Sequence, residues 1–268
     1  METSLVELCQ QHLIQACLDR IQHTESVAGS RFGFEIIQRE NTAVVLAHHW
    51  PENNAKFPFH RVFNYSAPPD NSCDPLLDRL VDEKIDAVIE VLPGPHQSHT
   101  EQVLRSRAFE PVWSIPWLYI PVEEFSFKSP AASSVERINS TRLMKFAEIF
   151  VDGYGYSGKE AEAWRIYSQH GYTAPQFSCF LASHNEQPAA TGVVHLHKTS
   201  ALVDGAATLP QYRNLGLQKL LLATRIRYAK EHGALHAFSR TGRGSISETN
   251  MRKLGMRIFV QSIAWRKN

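Results

Sequence analysis

The chain has 268 residues, 43% hydrophobic and 21% charged, which is the composition of a folded globular protein and excludes a disordered tail, a coiled coil or a collagen-like repeat. Lys and Arg number 28 against 27 Asp and Glu, a formal net charge of +1, so the basic footprint of a nucleic-acid binder is missing. No apolar run approaches a membrane span, the N-terminus lacks a secretory leader pattern, and the spacing of Cys9, Cys17, Cys73 and Cys179 fits no zinc module; the expectation is a cytoplasmic protein with reduced thiols and no metal.

Residues 3–22 read as an amphipathic helix, with Leu5, Leu8, Cys9, Leu13, Ala16, Cys17 and Ile21 at helical spacing. Two β-rich runs, 32–37 and 43–47, form a hairpin about Asn41, and 57–65 is a third strand. A breaker-rich stretch over 67–75 leads to a helix over 76–85, a strand over 87–92, a helix over 98–107 and an aromatic strand over 112–120. Trp113 and Trp117 share one face of that strand, as core packing or as an acceptor-side wall. Residues 126–134 are small and polar and read as a linker between a first domain over 1–125 and a second over 135–268.

The second domain has clearer punctuation. A helix over 142–151 presents Leu143, Phe146, Ala147 and Phe150 on one face and ends at the loop Asp152-Gly-Tyr-Gly-Tyr156. Ser157-Gly-Lys-Glu160 is a capping-box pattern opening the next helix, and Gly171 is its left-handed stop. Strands over 177–182 and 189–197 flank a turn at 184–187, and a third strand covers 200–209. A long helix over 217–232 ends at Gly233, and a buried strand follows over 235–240. Ser245-Ile-Ser-Glu248 opens a short helix that stops at Gly255, and a strand over 258–265 closes the chain. Both halves share this order of elements but differ at one strand-to-helix turn. The second has Tyr212-Arg-Asn-Leu-Gly-Leu-Gln218 there, and the first a proline-rich stretch without glycine.

That turn carries the chemistry. Pro210 ends ladder pairing at its own nitrogen, and Gly216 removes a Cβ where the chain turns tightly. The first N–H groups of the following helix lack intrahelical acceptors, and with the helix dipole they make an anion site suited to a pyrophosphate. Arg213 and Lys219 add positive charge. Without Gly-Lys-Ser/Thr this is not a nucleoside-triphosphate P-loop, and without G-x-G-x-x-G it is not a Rossmann site.

Arg213-Asn-Leu-Gly216-Leu-Gln218 resembles the Gln/Arg-x-x-Gly-x-Gly/Ala signature of the GNAT superfamily of acyl-CoA N-acyltransferases. Ser245-Ile-Ser-Glu-Thr-Asn-Met-Arg-Lys-Leu-Gly-Met256 resembles that family's second motif. Ser247 and Asn250 match the Ser-x-x-Asn pair of a bacterial subgroup with Gln at the position of Gln218. The resemblance covers 135–268 and implies an α+β fold of two tandem GNAT-like domains, mixed central sheets flanked by helices, the first a degenerate copy without the phosphate cradle. It further implies direct acetyl transfer from acetyl-CoA to a primary amine in a ternary complex. The acceptor would be a small molecule or peptide, with no nucleic-acid or membrane partner, in a monomer or homodimer.

The resemblance also assigns residues. Arg213, Asn214, Leu215, Gly216, Leu217, Gln218 and Lys219 would cradle the pyrophosphate, with Asn250 beside them. Thr208 and Leu209 would offer unpaired backbone groups to the pantetheine arm, and a backbone N–H of their strand would meet the oxyanion. Asp204 is the base or water-orienting group, or else a cap aspartate beside Gly205. His195 and His197 share a strand face, as part of a proton relay or as packed histidines. Met251 stands where many relatives carry a proton-donating Tyr, leaving Ser247 as a donor, or as a helix-start residue binding backbone amides. Tyr154 and Tyr156 would line the acceptor pocket. The same residues admit an alternative, a non-catalytic module that binds acyl-CoA and reports its level, which Met251 and the absence of a clear base favour.

Overall fold

The computed structural model describes residues 4–39, 42–51, 59–68, 74–127 and 133–267. Asn41, Cys73, residues 57–58 of the third expected strand, 69–73 of the proline-rich stretch and 128–132 of the expected linker lie outside the described residues. The elements in chain order are α1 (Leu5–Ala28), β1 (Phe34–Arg39), β2 (Thr42–Ala47), β3 (Arg61–Phe63), α2 (Pro75–Asp82), β4 (Val88–Val91), α3 (Gln97–Ser106), β5 (Phe109–Pro121), β6 (Ser133–Ile138), α4 (Leu143–Tyr154), α5 (Gly158–Gly171), β7 (Phe177–His184), β8 (Gln187–His197), β9 (Ser200–Thr208), α6 (Leu217–Glu231), β10 (His236–Arg240), α7 (Ile246–Lys253) and β11 (Arg257–Lys267).

Two compact units are each discontinuous in sequence. One is Met1–Gly29 with Leu118–Phe259; the other is Ser30–Trp117 with Val260–Asn268. The helix read with the first half therefore belongs to the unit that holds the glycine turn. Ser4 caps it by accepting from the Glu7 amide while the Glu7 carboxylate accepts from Ser4 N–H, and the helix continues past residue 22 to Ala28. α1 packs on α5 and β9. This contact explains Gly171: a Cβ there would lie 2.3 Å from Arg20 Cγ, so the residue is the last of α5 and a packing glycine. The cap is Tyr172 at φ −84°, not a left-handed glycine. Nor does Ser157 cap α5, because Gly158 turns the chain at φ +57° and the serine side chain makes no capping bond.

The strands of this unit run in the order β6-β7-β8-β9-β10, antiparallel except for β9 and β10. β6 begins where the linker was expected. Its only apolar members are Val135 and Ile138, too sparse a pattern to announce a strand. Asn185 and Glu186 both sit at positive φ, the geometry of a tight two-residue hairpin between β7 and β8. Phe180, Ala182, Val194, Ala201 and Val203 pack against Leu221 and Ile226 of α6. On the opposite face Cys179, Leu181, Val193 and Ala207 pack against Phe146, Ile149 and Phe150 of α4.

In the other unit β1-β2-β3 is antiparallel, β3 and β4 are parallel, and β4 pairs antiparallel with β11. Val44, Leu46, Val62, Leu77, Ile89, Leu104 and Trp265 form its core. Buried Glu90 accepts from Trp117 Nε1 and Ser262 Oγ. At the start of α2, Asp74 Oδ1 accepts from the amides of Leu76 and Leu77, and Pro75 has no amide to offer. The Asp74 carboxylate thus takes the first donors that this helix start would offer an anion. Among the described residues no helix is long and apolar enough to cross a membrane.

Candidate active site

A cavity of about 620 Å³ opens at the start of α6. Its lining includes Ala206, Ala207 and Thr208 of β9, Arg213 through Lys219, Ser247 and Asn250 of α7, and Gly153 and Tyr154 of α4. The turn into α6 places Asn214 at φ +65° and Gly216 at φ +78°. Gly216 has no side chain to cap the helix, and the first intrahelical bond is Leu220 N–H to Gly216 C=O. Among the described residues the amides of Asn214, Leu215, Gly216, Leu217, Gln218 and Lys219 have no protein acceptor. A run of orphan donors at the positive end of a helix is an anion site. Nothing lies within 4 Å of where a Gly216 Cβ would stand, so the cavity reaches the backbone there.

Side chains brace this turn. Arg213 Nη2 donates to the Gly153 carbonyl at 2.9 Å, tying the turn to the end of α4. The Gln218 side chain meets α7. Its Oε1 accepts from Asn250 Nδ2 at 2.6 Å, and its Nε2 lies 3.4 Å from Ser247 Oγ. The Ser-x-x-Asn pair of α7 therefore clasps Gln218. Ser245, not Ser247, caps α7 by accepting from Glu248 N–H, while the Glu248 carboxylate reaches the Gly244 amide instead of that of Ser245. Met251 is buried in the core with Leu217 and Leu221 and offers no proton.

The other wall of the cavity is an opened strand edge. β9 pairs with β10 from Ser200↔His236 to Leu202↔Phe238, and from Val203 onward the register with β10 has ended. Leu209 N–H bonds Ala189 C=O at 2.9 Å, which corrects the expectation that it is unpaired. The antiparallel alternation then turns the Thr208 N–H and C=O toward the opened edge. Gly153 lets α4 approach this strand, since a Cβ there would stand 2.8 Å from Ala207 Cβ and 3.1 Å from Thr208 N.

Between the pairs Val193↔Asp204 and Thr191↔Ala207 β9 carries one extra residue, a bulge at Gly205, which sits at φ +56°. The bulge breaks the expected alternation. Asp204 shares a face with Ala207, on the α4 side, and Thr208 faces the α6 side. Buried Arg225 of α6 props this irregularity: its Nη1 donates to Val193 C=O at 2.9 Å and Asp204 C=O at 2.7 Å. Burial lowers its pKa to about 10, so it stays charged at neutral pH. Gly192 is required beneath it, for a Cβ would meet the guanidinium carbon at 2.7 Å.

On the α4 face, Tyr154 lines the cavity, while Tyr156 does not and instead stacks between Tyr154 and Trp164 at 5.7 and 5.3 Å. The expected Asp152–Tyr156 loop is helical to Tyr154, with Gly155 as its left-handed cap. Asp204 is exposed and lies outside the large cavity, lining a smaller pocket with Arg20 and His195. Sequence reasoning missed Arg20, Arg225 and His12, which stand outside every motif.

His195 belongs to a buried chain. Its Nε2 donates to Asp19 Oδ2 at 2.8 Å, its Nδ1 meets His12 Nε2 at 2.8 Å, and His12 Nδ1 meets Ser200 Oγ at 2.6 Å. His12 is neutral at neutral pH. It is fully buried, and burial, with His195 and His197 nearby, lowers its pKa to about 2. Unfolding restores a value near 6.5, so the unfolded chain binds a proton that the folded chain refuses, and the stability His12 contributes above that pH is lost as the solution is acidified. The slope is roughly 1.4 kcal/mol per pH unit for one such group. We expect urea unfolding to lose about 2 kcal/mol more between pH 7 and 5 in the wild type than in His12→Gln; equal losses in the two proteins would contradict this.

Among the described residues no cluster of His, Cys, Asp or Glu is placed to hold a metal ion. Residues 143–251 match the model of the acetyltransferase (GNAT) family. The chain is similar to a GCN5-related N-acetyltransferase from Kribbella flavida at 15% identity and a TM-score of 0.65, over 99% of this chain and 96% of that one. A tandem GNAT protein from the clavulanic acid biosynthesis pathway matches at 11% identity and 0.59, over 86% and 81%. A GCN5-related N-acetyltransferase from Sphaerobacter thermophilus matches at 13% and 0.59, over 84% and 80%. At these identities the likeness is one of fold, and it extends to two tandem GNAT-like domains with a mixed sheet flanked by helices. No curated protein matches the sequence.

Proposed function

We propose, from the match of residues 143–251 to the model of the acetyltransferase (GNAT) family, that this chain is an N-acetyltransferase that moves the acetyl group of acetyl-CoA to a primary amine by direct transfer in a ternary complex. The observation that carries the reading is the run of acceptor-less amides, Asn214 through Lys219, lining one wall of a cavity whose other wall is the opened edge of β9. Those amides take the diphosphate, and Arg213 and Lys219 stand beside it. The Thr208 backbone edge takes the pantetheine amides and aligns the thioester, and an amide of that edge meets the developing oxyanion.

Asp204 takes the proton of the acceptor ammonium, directly or through one water. The amine lone pair then forms the N–C bond, the C–S bond breaks, and the thiolate takes a proton from Ser247, on the cavity wall, or from water, which regains it from the second proton of the acylated nitrogen. Release of free CoA thiol in the presence of a panel of amines tests the reading. Asp204→Asn is expected to lower turnover most below the pH optimum and to leave acetyl-CoA affinity intact; a rate unchanged across pH removes Asp204 from the reaction. The burial of Met251 favours a second reading, a non-catalytic acyl-CoA-binding module. Tight acetyl-CoA binding without turnover of any amine would select it.

A further inference from the structure

α1 brings to the acceptor side a cation that lies outside the segment matching the acetyltransferase family. Arg20 is half-buried, donating from Nε to the Tyr167 hydroxyl at 2.8 Å and from Nη1 to the Tyr172 hydroxyl at 2.9 Å. Its guanidinium lies 4.6 Å over the Tyr167 ring. These contacts use two of the five donors of the guanidinium. Among the described residues no carboxylate forms an ion pair with Arg20, and Asp204 has neither an ion pair nor a hydrogen bond through its side chain. Yet both line one pocket. Tyr172 fixes the geometry, because its hydroxyl stands 2.8 Å from where a Cβ on Gly205 would be, at the bulge that follows Asp204.

A cation and an anion that share a pocket without pairing are complementary to a ligand bearing both charges. The charge of Asp204 acts on this half-buried guanidinium without bonding to it, and a ligand carboxylate bonded to the free donors restores hydration that burial has removed. The pocket holds about 10 Å³, room for one water-sized group. It therefore admits a carboxylate oxygen and leaves any side chain outside. Asp204 precedes Ala206, the first cavity-lining residue of β9, by two positions, roughly 7 Å along a strand. An amine held at Asp204 thus lies beside the stretch of β9 that enters the large cavity.

We propose that the acceptor is a free α-amino acid, its ammonium at Asp204 and its carboxylate on Arg20. This rests on the acetyltransferase reading and names the substrate class of that site. Arg20 is a specificity-determining residue. The products are the N-acetyl amino acid and free CoA thiol, with the ammonium proton passed through Asp204 to water.

The test compares free amino acids, their carboxamides and matched amines lacking the carboxylate, read by thiol release. In parallel, amino acids are titrated calorimetrically into protein saturated with CoA, a readout that needs no turnover. The expected result is a kcat/KM for the best amino acid roughly 10- to 100-fold above that of its carboxamide. In Arg20→Gln that ratio collapses to near one through a raised KM, and Arg20→Lys restores part of it. Equal use of carboxamides or simple amines by the wild type overturns the subsite and leaves acetyl transfer standing. If no amine turns over, acetyl transfer fails and calorimetry alone decides: heat with amino acids that Arg20→Gln abolishes supports the subsite, and absence of heat in the wild type overturns it.

Discussion

Gly216→Asp abolishes acetyl-CoA binding. Gly216 sits at φ +78°, where a side chain costs on the order of 1 kcal/mol, and the space above it is open to the cavity. An introduced carboxylate therefore finds room, and the room it finds is the place assigned to the diphosphate. It accepts from the amides that the diphosphate needs and repels the ligand's charge. We expect affinity to fall more than 100-fold by calorimetry, roughly 3 kcal/mol or more. Gly216→Ala separates the causes. It meets the same backbone strain without the charge, and it should bind less than about tenfold more weakly. An aspartate variant of wild-type affinity would show that the diphosphate binds elsewhere.

Arg225→Met is expected to destabilise the chain by about 2–4 kcal/mol and to lower turnover in what remains folded. Two carbonyls across the bulge, Val193 and Asp204, receive their hydrogen bonds from this guanidinium. Methionine fills comparable volume but strands the buried Val193 carbonyl and the part-buried carbonyl of Asp204, at about 1–3 kcal/mol each, offset in part by relief of the buried charge. Arg225→Lys retains the charge, yet a single ammonium on a different stem cannot reproduce the planar fork, so we expect an intermediate loss. The bulge sets the phase of β9. Its relaxation would move Asp204 and the Thr208 edge together, so kcat should fall more than acetyl-CoA affinity. A denaturation midpoint equal to that of the wild type would show that Arg225 is dispensable to the bulge.

The glycine turn was legible from local chemistry. A strand exit with proline, a glycine and a long amphipathic helix leave orphan amides wherever the chain goes next, and the structure places Arg213 through Lys219 around one cavity with Thr208, Ser247 and Asn250. The bulge was not legible. Alternation has a period of two, and one inserted residue at Gly205 reverses the phase, so Asp204 and Thr208, which look equivalent in sequence, face opposite sides. Leu209 was misread for a related reason, because pairing with Ala189 depends on register and not on residue type. The partner of α1 is a tertiary fact. Its pattern announced a helix with a buried face, but nothing local told which unit would cover His12, Asp19 and Thr24. Nothing local in the sequence sets Arg20 or Arg225 apart from a surface cation.

Crystals of the protein with acetyl-CoA test the central claim most directly. The account predicts diphosphate oxygens within hydrogen-bond distance of the amides from Asn214 to Lys219, and an acetyl group beside Thr208 on the side facing Asp204. Density for the ligand anywhere else, with those amides bonded only to solvent, would contradict it.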